Sequence, residues 1–233
     1  IMSDADLDIA IPGVIDGMRY TRQGQACTAG SRVYIHEKIY DKVLNGAVEK
    51  LSKLKMGNAL DEKSDIGAII SEEQLKRTLY YMDIAKKNSS TKILHGGNQS
   101  KGGDYKDGFY YEPTLLSGLP VSSPVCQEEV FGPVACAIPF KSFDEVMESA
   151  NDTQFGLSAV LWTKDLSRAL QFVDEIEAGF VQVNQCVAPR ANVSYGGIKM
   201  SGLGKEYAFD SMMNHFTQSK TILINRGKSN LDV

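Results

Sequence analysis

Apolar residues recur along the chain at two spacings, and the alternation between them predicts the architecture. Over residues 6–20, Leu7, Ala10, Ile11, Val14, Ile15 and Met18 fall on one face of a helix. Ser3 or Asp4 is placed to cap its start, and Pro12 and Gly13 interrupt it. Val33, Tyr34 and Ile35 read as a buried strand. A long helix follows, with Ile39, Val43, Leu44, Ala47, Val48, Leu51 and Leu54 facing inward and Gly57 at its end. Residues 58–67 are polar and read as loop. Ser71-Glu72-Glu73-Gln74 has the spacing of a capping box and opens a helix reaching Lys87, with Leu75, Leu79, Met82 and Ile84 available for burial.

The second half continues the alternation. Strands are predicted over 92–94, 109–116, 134–140, 157–162, 180–183 and 221–224, with a surface connection over 96–108. Ser142 caps a helix carrying Val146 and Met147, and Leu166, Ala169, Leu170, Val173 and Ile176 mark the inner face of another. A long loop leads to a glycine-rich run over 196–204 and a helix over 206–216, and the chain from Arg226 reads as a disordered tail. Helices alternating with buried strands define an α/β fold: an open, largely parallel twisted sheet with helices on both faces.

Composition narrows the function. The 233 residues suffice for one large α/β domain or two small ones. A net charge of −4 with no dense Lys/Arg block argues against a nucleic-acid partner. No apolar run is long enough to span a bilayer and no signal-peptide pattern is visible, so a cytoplasmic chain with no membrane partner is expected. Cys27, Cys126, Cys136 and Cys186 are far apart, and His36, His95 and His215 lack zinc-ligand spacing, which favours reduced thiols over disulfides or a metal site. No G-x-G-x-x-G turn follows a strand and no P-loop is present.

The candidate chemistry starts at Gln23-Gly24-Gln25-Ala26-Cys27-Thr28-Ala29-Gly30-Ser31-Arg32. Small neighbours let a substrate approach the Cys27 thiol closely. A free cysteine, with a pKa of about 8.5, needs help to become the reactive thiolate, and most free cysteines are simply small buried hydrophobes. Gln25, Cys27, Ala29 and Arg32 in this order resemble the aldehyde dehydrogenase signature G-Q-x-C-x-A-x-x-R. Glu128-Glu129-Val130-Phe131-Gly132-Pro133-Val134 is similar to that family's E-E-[IV]-F-G-P-V element. Residues 195–206, from Tyr195-Gly196-Gly197 to Lys205-Glu206, are similar to its F-G-G-x-K-x-S-G-x-G-R-E element. Three motifs in family order cover nearly the whole chain.

The resemblance implies the catalytic half of an NAD- or NADP-dependent enzyme. Residues 1–216 would form the catalytic domain and 217–233 an oligomerisation strand and tail, with the dinucleotide-binding half preceding residue 1. Cys27 would attack an aldehyde carbonyl, its adduct would lose hydride to the nicotinamide to leave a thioester, and activated water would release the acid. The family's oxyanion asparagine and general-base glutamate both fall upstream, so the chain alone is expected to be inactive. Glu129 and Phe131 match the positions that hold the nicotinamide riboside, where a carboxylate can accept from both ribose hydroxyls. Glu128 would be the structural or exposed member of the pair. Pro189 and Tyr195 fall at substrate-pocket positions, Pro189 replacing a common aromatic, and Arg190 beside it reads as a solvent-facing charge or as a partner for a carboxylate-bearing or otherwise polar aldehyde. The glycine-rich run reads as a tight turn, not a phosphate cradle. A small aldehyde substrate and a homo-oligomer, dimer or tetramer, are implied. A CoA-acylating relative, a cysteine hydrolase served by a histidine, and a non-catalytic scaffold of the same fold stand as alternatives.

Overall fold

The structure, a computed structural model, describes residues 1–225. The predicted tail from Arg226 lies outside the described residues. In chain order the elements are α1 (Leu7–Gly17), β1 (Arg32–His36), α2 (Tyr40–Leu51), α3 (Glu72–Lys87), β2 (Lys92–His95), β3 (Gln99–Ser100), β4 (Tyr110–Tyr111) and β5 (Thr114–Ser117). They continue with α4 (Pro124–Gln127), β6 (Val134–Phe140), α5 (Phe143–Asn151), β7 (Phe155–Gly156), β8 (Ser158–Leu161), α6 (Leu166–Glu175), β9 (Phe180–Val183), β10 (Ile198–Lys199) and α7 (Phe209–Phe216).

The central sheet has the order β1-β6-β5-β2, with β6 parallel to both β1 and β5 and only β2 antiparallel. A second parallel pair, β8 and β9, lies beside it. The strand β6 shows why the fold has helices on both faces. Side chains alternate across a strand, and Ala135 and Ala137 pack with the α1 and α2 core (Ala10, Val14, Val43, Ala47, Leu51). Val134, Cys136 and Ile138 pack the other way, onto Leu75, Met82 and Ala85 of α3 and Val125 of α4. A third cluster joins Phe143 and Met147 of α5 to Ala169 and Phe172 of α6 and Leu161 of β8.

Several local expectations are corrected. The side chain capping α1 is Asp6, which accepts from the Asp8 N–H, because Asp4 is spent on the Thr163 hydroxyl and the Lys164 N–H. Pro12 sits inside α1 without ending it. The helix α2 stops at Leu51, not Gly57, whose N–H donates to Ile66 O in the loop that follows. Ser71 caps α3 through the Gln74 N–H, but the Gln74 side chain does not reach back to complete the box; it is engaged elsewhere, as described below. On α3 Leu75 and Met82 are buried while Leu79 is exposed, and Thr78, Tyr81 and Ala85 take the inner face with them. The 109–116 strand is split around Glu112 and Pro113, since proline cannot donate to a ladder. The 96–108 connection carries β3, which pairs with β4.

The largest misjudged face is on α6. Leu166, Leu170 and Val173 are 73%, 58% and 47% exposed, whereas Ala169 of the predicted face is buried, Ile176 is half-buried, and Phe172 joins them. The last helix starts only at Phe209, and residues 221–224 form no strand: Ile222, Leu223 and Ile224 are exposed. A β-prone run needs a neighbouring strand to pair with, and none among the described residues flanks this one. No helix among the described residues is long and apolar enough to cross a membrane.

Candidate active site

The turn that carries Cys27 is built by the end of α1. Arg19 and Gln23 take left-handed backbone (φ 59° and 54°), Gly24 follows at φ 65°, and the Gly30 N–H closes back onto Gly17 O at 2.9 Å. Cys27 is thereby lifted to an exposed position between α1 and β1. Gln25 Oε1 accepts from the Ile70 N–H at 3.0 Å, pinning the turn to the start of α3. Arg32 turns away from the thiol and donates to the Ala150 and Ser149 carbonyls at the end of α5, which gives it a structural role.

The 128–132 loop meets this turn directly. Gly24 is packed so tightly on the Gly132 carbonyl that a Cβ there would lie 2.1 Å from its oxygen. The loop is in turn gripped by one polar stripe of α3. Gln74 Nε2 donates to Val130 O (3.0 Å) and Phe131 O (2.7 Å), Arg77 donates through Nε (3.1 Å) and Nη2 to Glu129 O, and the Tyr81 hydroxyl donates to Glu128 Oε2 at 2.7 Å. Burial, and then the bond to Glu128, push the Tyr81 phenol up to about 12. Glu128 is thus engaged by the protein, whereas the exposed Glu129 carboxylate makes no hydrogen bond or ion pair among the described residues. Phe131 is half-buried with φ 55°, the bend that turns the loop back into β6.

A cleft of ≈ 470 Å³ is lined by Cys27, Thr28, Glu128, Glu129 and Phe131, with Cys186 at its wall. Tyr195 reaches Cys27 from the far end of the chain, its Oη 3.2 Å from Sγ. Pro189 is half-buried in its loop and does not line this cleft, and Arg190 is exposed. The structure therefore brings Cys27, Glu129 and Phe131 to one cleft and sets Tyr195 on the Cys27 sulfur, while neither Tyr195 nor Pro189 is among the residues lining that cleft. Of the three gripping residues of α3, the sequence assigns Gln74 to a capping box and gives Arg77 and Tyr81 no role. Their signal was a polar stripe at 74, 77, 78 and 81, which an amphipathic helix ordinarily turns to solvent.

Among the described residues no histidine is hydrogen-bonded to the thiol. His36 is buried, its Nδ1 accepting from the Lys38 N–H and its ring edge-on to Phe140 at 5.3 Å, and His95 Nδ1 is paired with Pro113 O. The glycine-rich run bends around the short strand β10 and is clamped by Lys205 Nζ donating to Gly196 O (3.0 Å) and Gly197 O (3.2 Å).

A largely parallel α/β sheet that offers one exposed thiol beside a carboxylate-bearing loop defines a cysteine-bearing α/β domain. Comparison with known proteins makes this specific. The profile of the aldehyde dehydrogenase family matches residues 1–222, and the chain belongs to that family. It is 38% identical over 221 residues to an aldehyde dehydrogenase of Rhodospirillum rubrum, covering 95% of this chain and 43% of that protein. It is 35% identical over 228 residues to a betaine aldehyde dehydrogenase of Brucella melitensis, covering 98% and 46%. Among solved structures it superimposes with a TM-score of 0.90 on an NAD+ complex of an aldehyde dehydrogenase from Bacillus cereus, at 32% identity, covering 97% of this chain and 45% of that one. The chain spans less than half the length of these relatives.

Proposed function

We propose that this chain supplies the catalytic half of an aldehyde dehydrogenase, in which Cys27 is the nucleophile and Glu129 and Phe131 hold the nicotinamide riboside of NAD or NADP. The observation that carries this reading is the direct packing of Gly24 on Gly132, which makes the Cys27 turn and the Glu129 loop one unit at the mouth of one cleft. The residues fit the cofactor: the Glu129 carboxylate is exposed and unengaged among the described residues, while its main chain is fixed by Arg77. The NAD+ bound in the solved relatives favours NAD.

Cys27 would add as thiolate to the aldehyde carbonyl. Neither its own N–H nor that of Thr28 is spent on a hydrogen bond among the described residues, so both are free to face the oxyanion. One such donor is typically worth about 2.7–4 kcal/mol in the transition state. The dinucleotide, when bound, takes up the hydride. The Cys27 sulfur then carries the acyl group as a thioester until water or another acceptor releases it. The absence of a histidine at Cys27 among the described residues disfavours the cysteine-hydrolase alternative.

Brief treatment with iodoacetamide followed by peptide mapping should label Cys27 ahead of Cys126 and Cys136, which are buried, and Cys186, which is half-buried. Equal labelling of all four would remove Cys27 from the role. In a protein that also carries the dinucleotide-binding half, Glu129→Gln should weaken NAD binding or hydride transfer ten-fold or more, the equivalent of about 1.5–3 kcal/mol for a bond to a charged group. Unchanged kinetics with both NAD and NADP would sink the assignment of Glu129.

A further inference from the structure

We propose that the Tyr195 hydroxyl is the standing hydrogen-bond partner of the Cys27 sulfur, a catalytic residue that fixes this side chain in place before a substrate arrives and donates to it once it ionises. The proposal rests on the assignment of Cys27 as nucleophile. Among the described residues Tyr195 is the only side chain hydrogen-bonded to Cys27 Sγ, at 3.2 Å. Its ring is held edge-on by Phe180 (5.4 Å, 76°) and Tyr207 (5.7 Å, 84°). Its main chain is locked to Glu206 in both directions, N–H to O at 3.0 Å and O from N–H at 2.7 Å. The hydroxyl is therefore placed by packing and needs no reorganisation to meet the sulfur.

The direction of the bond follows from which group keeps its proton. Burial pushes the Tyr195 phenol well up, and the facing Cys27, Tyr207 and Glu206 push the same way. The phenol stays protonated through the physiological range, so once Cys27 ionises only Tyr195 can donate. A hydrogen bond to the charged form favours that form. The same bond tempers the thiolate, because nucleophilicity falls as the sulfur becomes a more stable anion. A donor of this kind trades the intrinsic nucleophilicity of the sulfur for stability of its anion.

That trade has a signature which mere packing lacks. Tyr195→Phe keeps the ring between Phe180 and Tyr207 and removes only the oxygen. Losing a bond to a charged acceptor should cut the thiolate share about ten-fold, while the released thiolate gains about three-fold in nucleophilicity for a Brønsted slope of about 0.4–0.5. The test is the iodoacetamide rate of Cys27 across pH on the 233-residue chain, followed by peptide mapping. The Tyr195→Phe chain should react about three-fold slower at neutral pH and about three-fold faster once ionisation is complete, so the two curves cross. Tyr207→Phe should follow the parent curve. The ultraviolet thiolate absorbance, taken as the difference from Cys27→Ser, should move with the alkylation curve and gives a second readout that needs no reagent to enter the cleft. Superimposed or parallel curves overturn the proposal while leaving Cys27 as the nucleophile. A parent chain in which Cys27 is not labelled first overturns the nucleophile assignment and, with it, this proposal.

Discussion

Gly24→Ala should destabilise the chain by about 3–4 kcal/mol and separate the cysteine turn from the 128–132 loop. Two independent costs add at this position. The backbone is left-handed, with φ 65°, which costs a residue bearing a Cβ about 1–2 kcal/mol. The added carbon would also lie 2.1 Å from Gly132 O, 2.6 Å from Gly132 C and 3.0 Å from Met18 Cε. The first two are main-chain atoms of a loop held by Gln74 and Arg77, so they cannot step aside as a side chain would, and overpacking of this kind costs about 1–3 kcal/mol. Against a typical total of about 5–15 kcal/mol this is a large share. Urea unfolding followed by tryptophan fluorescence reads the loss, Trp162 being the sole indole. A midpoint equal to that of the parent chain would show that the two loops are not interlocked as described.

The parts of the fold that were legible in the sequence are those where local pattern and tertiary contact agree. The strand predicted over 134–140 is β6 to the residue, because an unbroken apolar run buried on both faces leaves no choice of side. Ser71 marks the start of α3 because a cap is a local device. Where two solutions share one sequence, the pattern alone chose wrongly. On α6 the predicted face mixed Ala169 and Ile176, which pack inward, with Leu166, Leu170 and Val173, which do not; the neighbours Phe143 and Leu161 select Ala169 and Phe172. The run over 221–224 has strand composition but no partner strand among the described residues. The site divides in the same way. Cys27, Glu129 and Phe131 lie in compact motifs, whereas the gripping of the 128–132 loop by Gln74, Arg77 and Tyr81 spans some fifty positions and the contact between Cys27 and Tyr195 spans 168. Contacts of such separation are set by topology, and no local spacing announces them.

Gly179→Ala should reach the Cys27–Tyr195 contact through the main chain beside Tyr195. Gly179 stands at the foot of β9, and a Cβ there would lie 1.9 Å from Gly196 O and 2.6 Å from Lys205 Nζ. The lysine can swing away, although it would give up its bonds to the Gly196 and Gly197 carbonyls in doing so. The carbonyl can move only by carrying the main chain of the glycine-rich turn back by well over an ångström. Tyr195 is the residue before that carbonyl, and Phe180, whose ring it packs against, is the residue after the substitution. The alanine therefore wedges apart the two segments that hold the Tyr195 ring. Stability should fall by about 2–3 kcal/mol, within the usual cost of overpacking. If Tyr195 is the donor to Cys27, the Gly179→Ala chain should also lose that bond and reproduce the crossed alkylation profile of Tyr195→Phe, though Gly179 touches neither residue's reacting atom. Folding must first be confirmed by circular dichroism. A folded Gly179→Ala chain with the parent alkylation curve would show that the position of Tyr195 does not depend on this close approach.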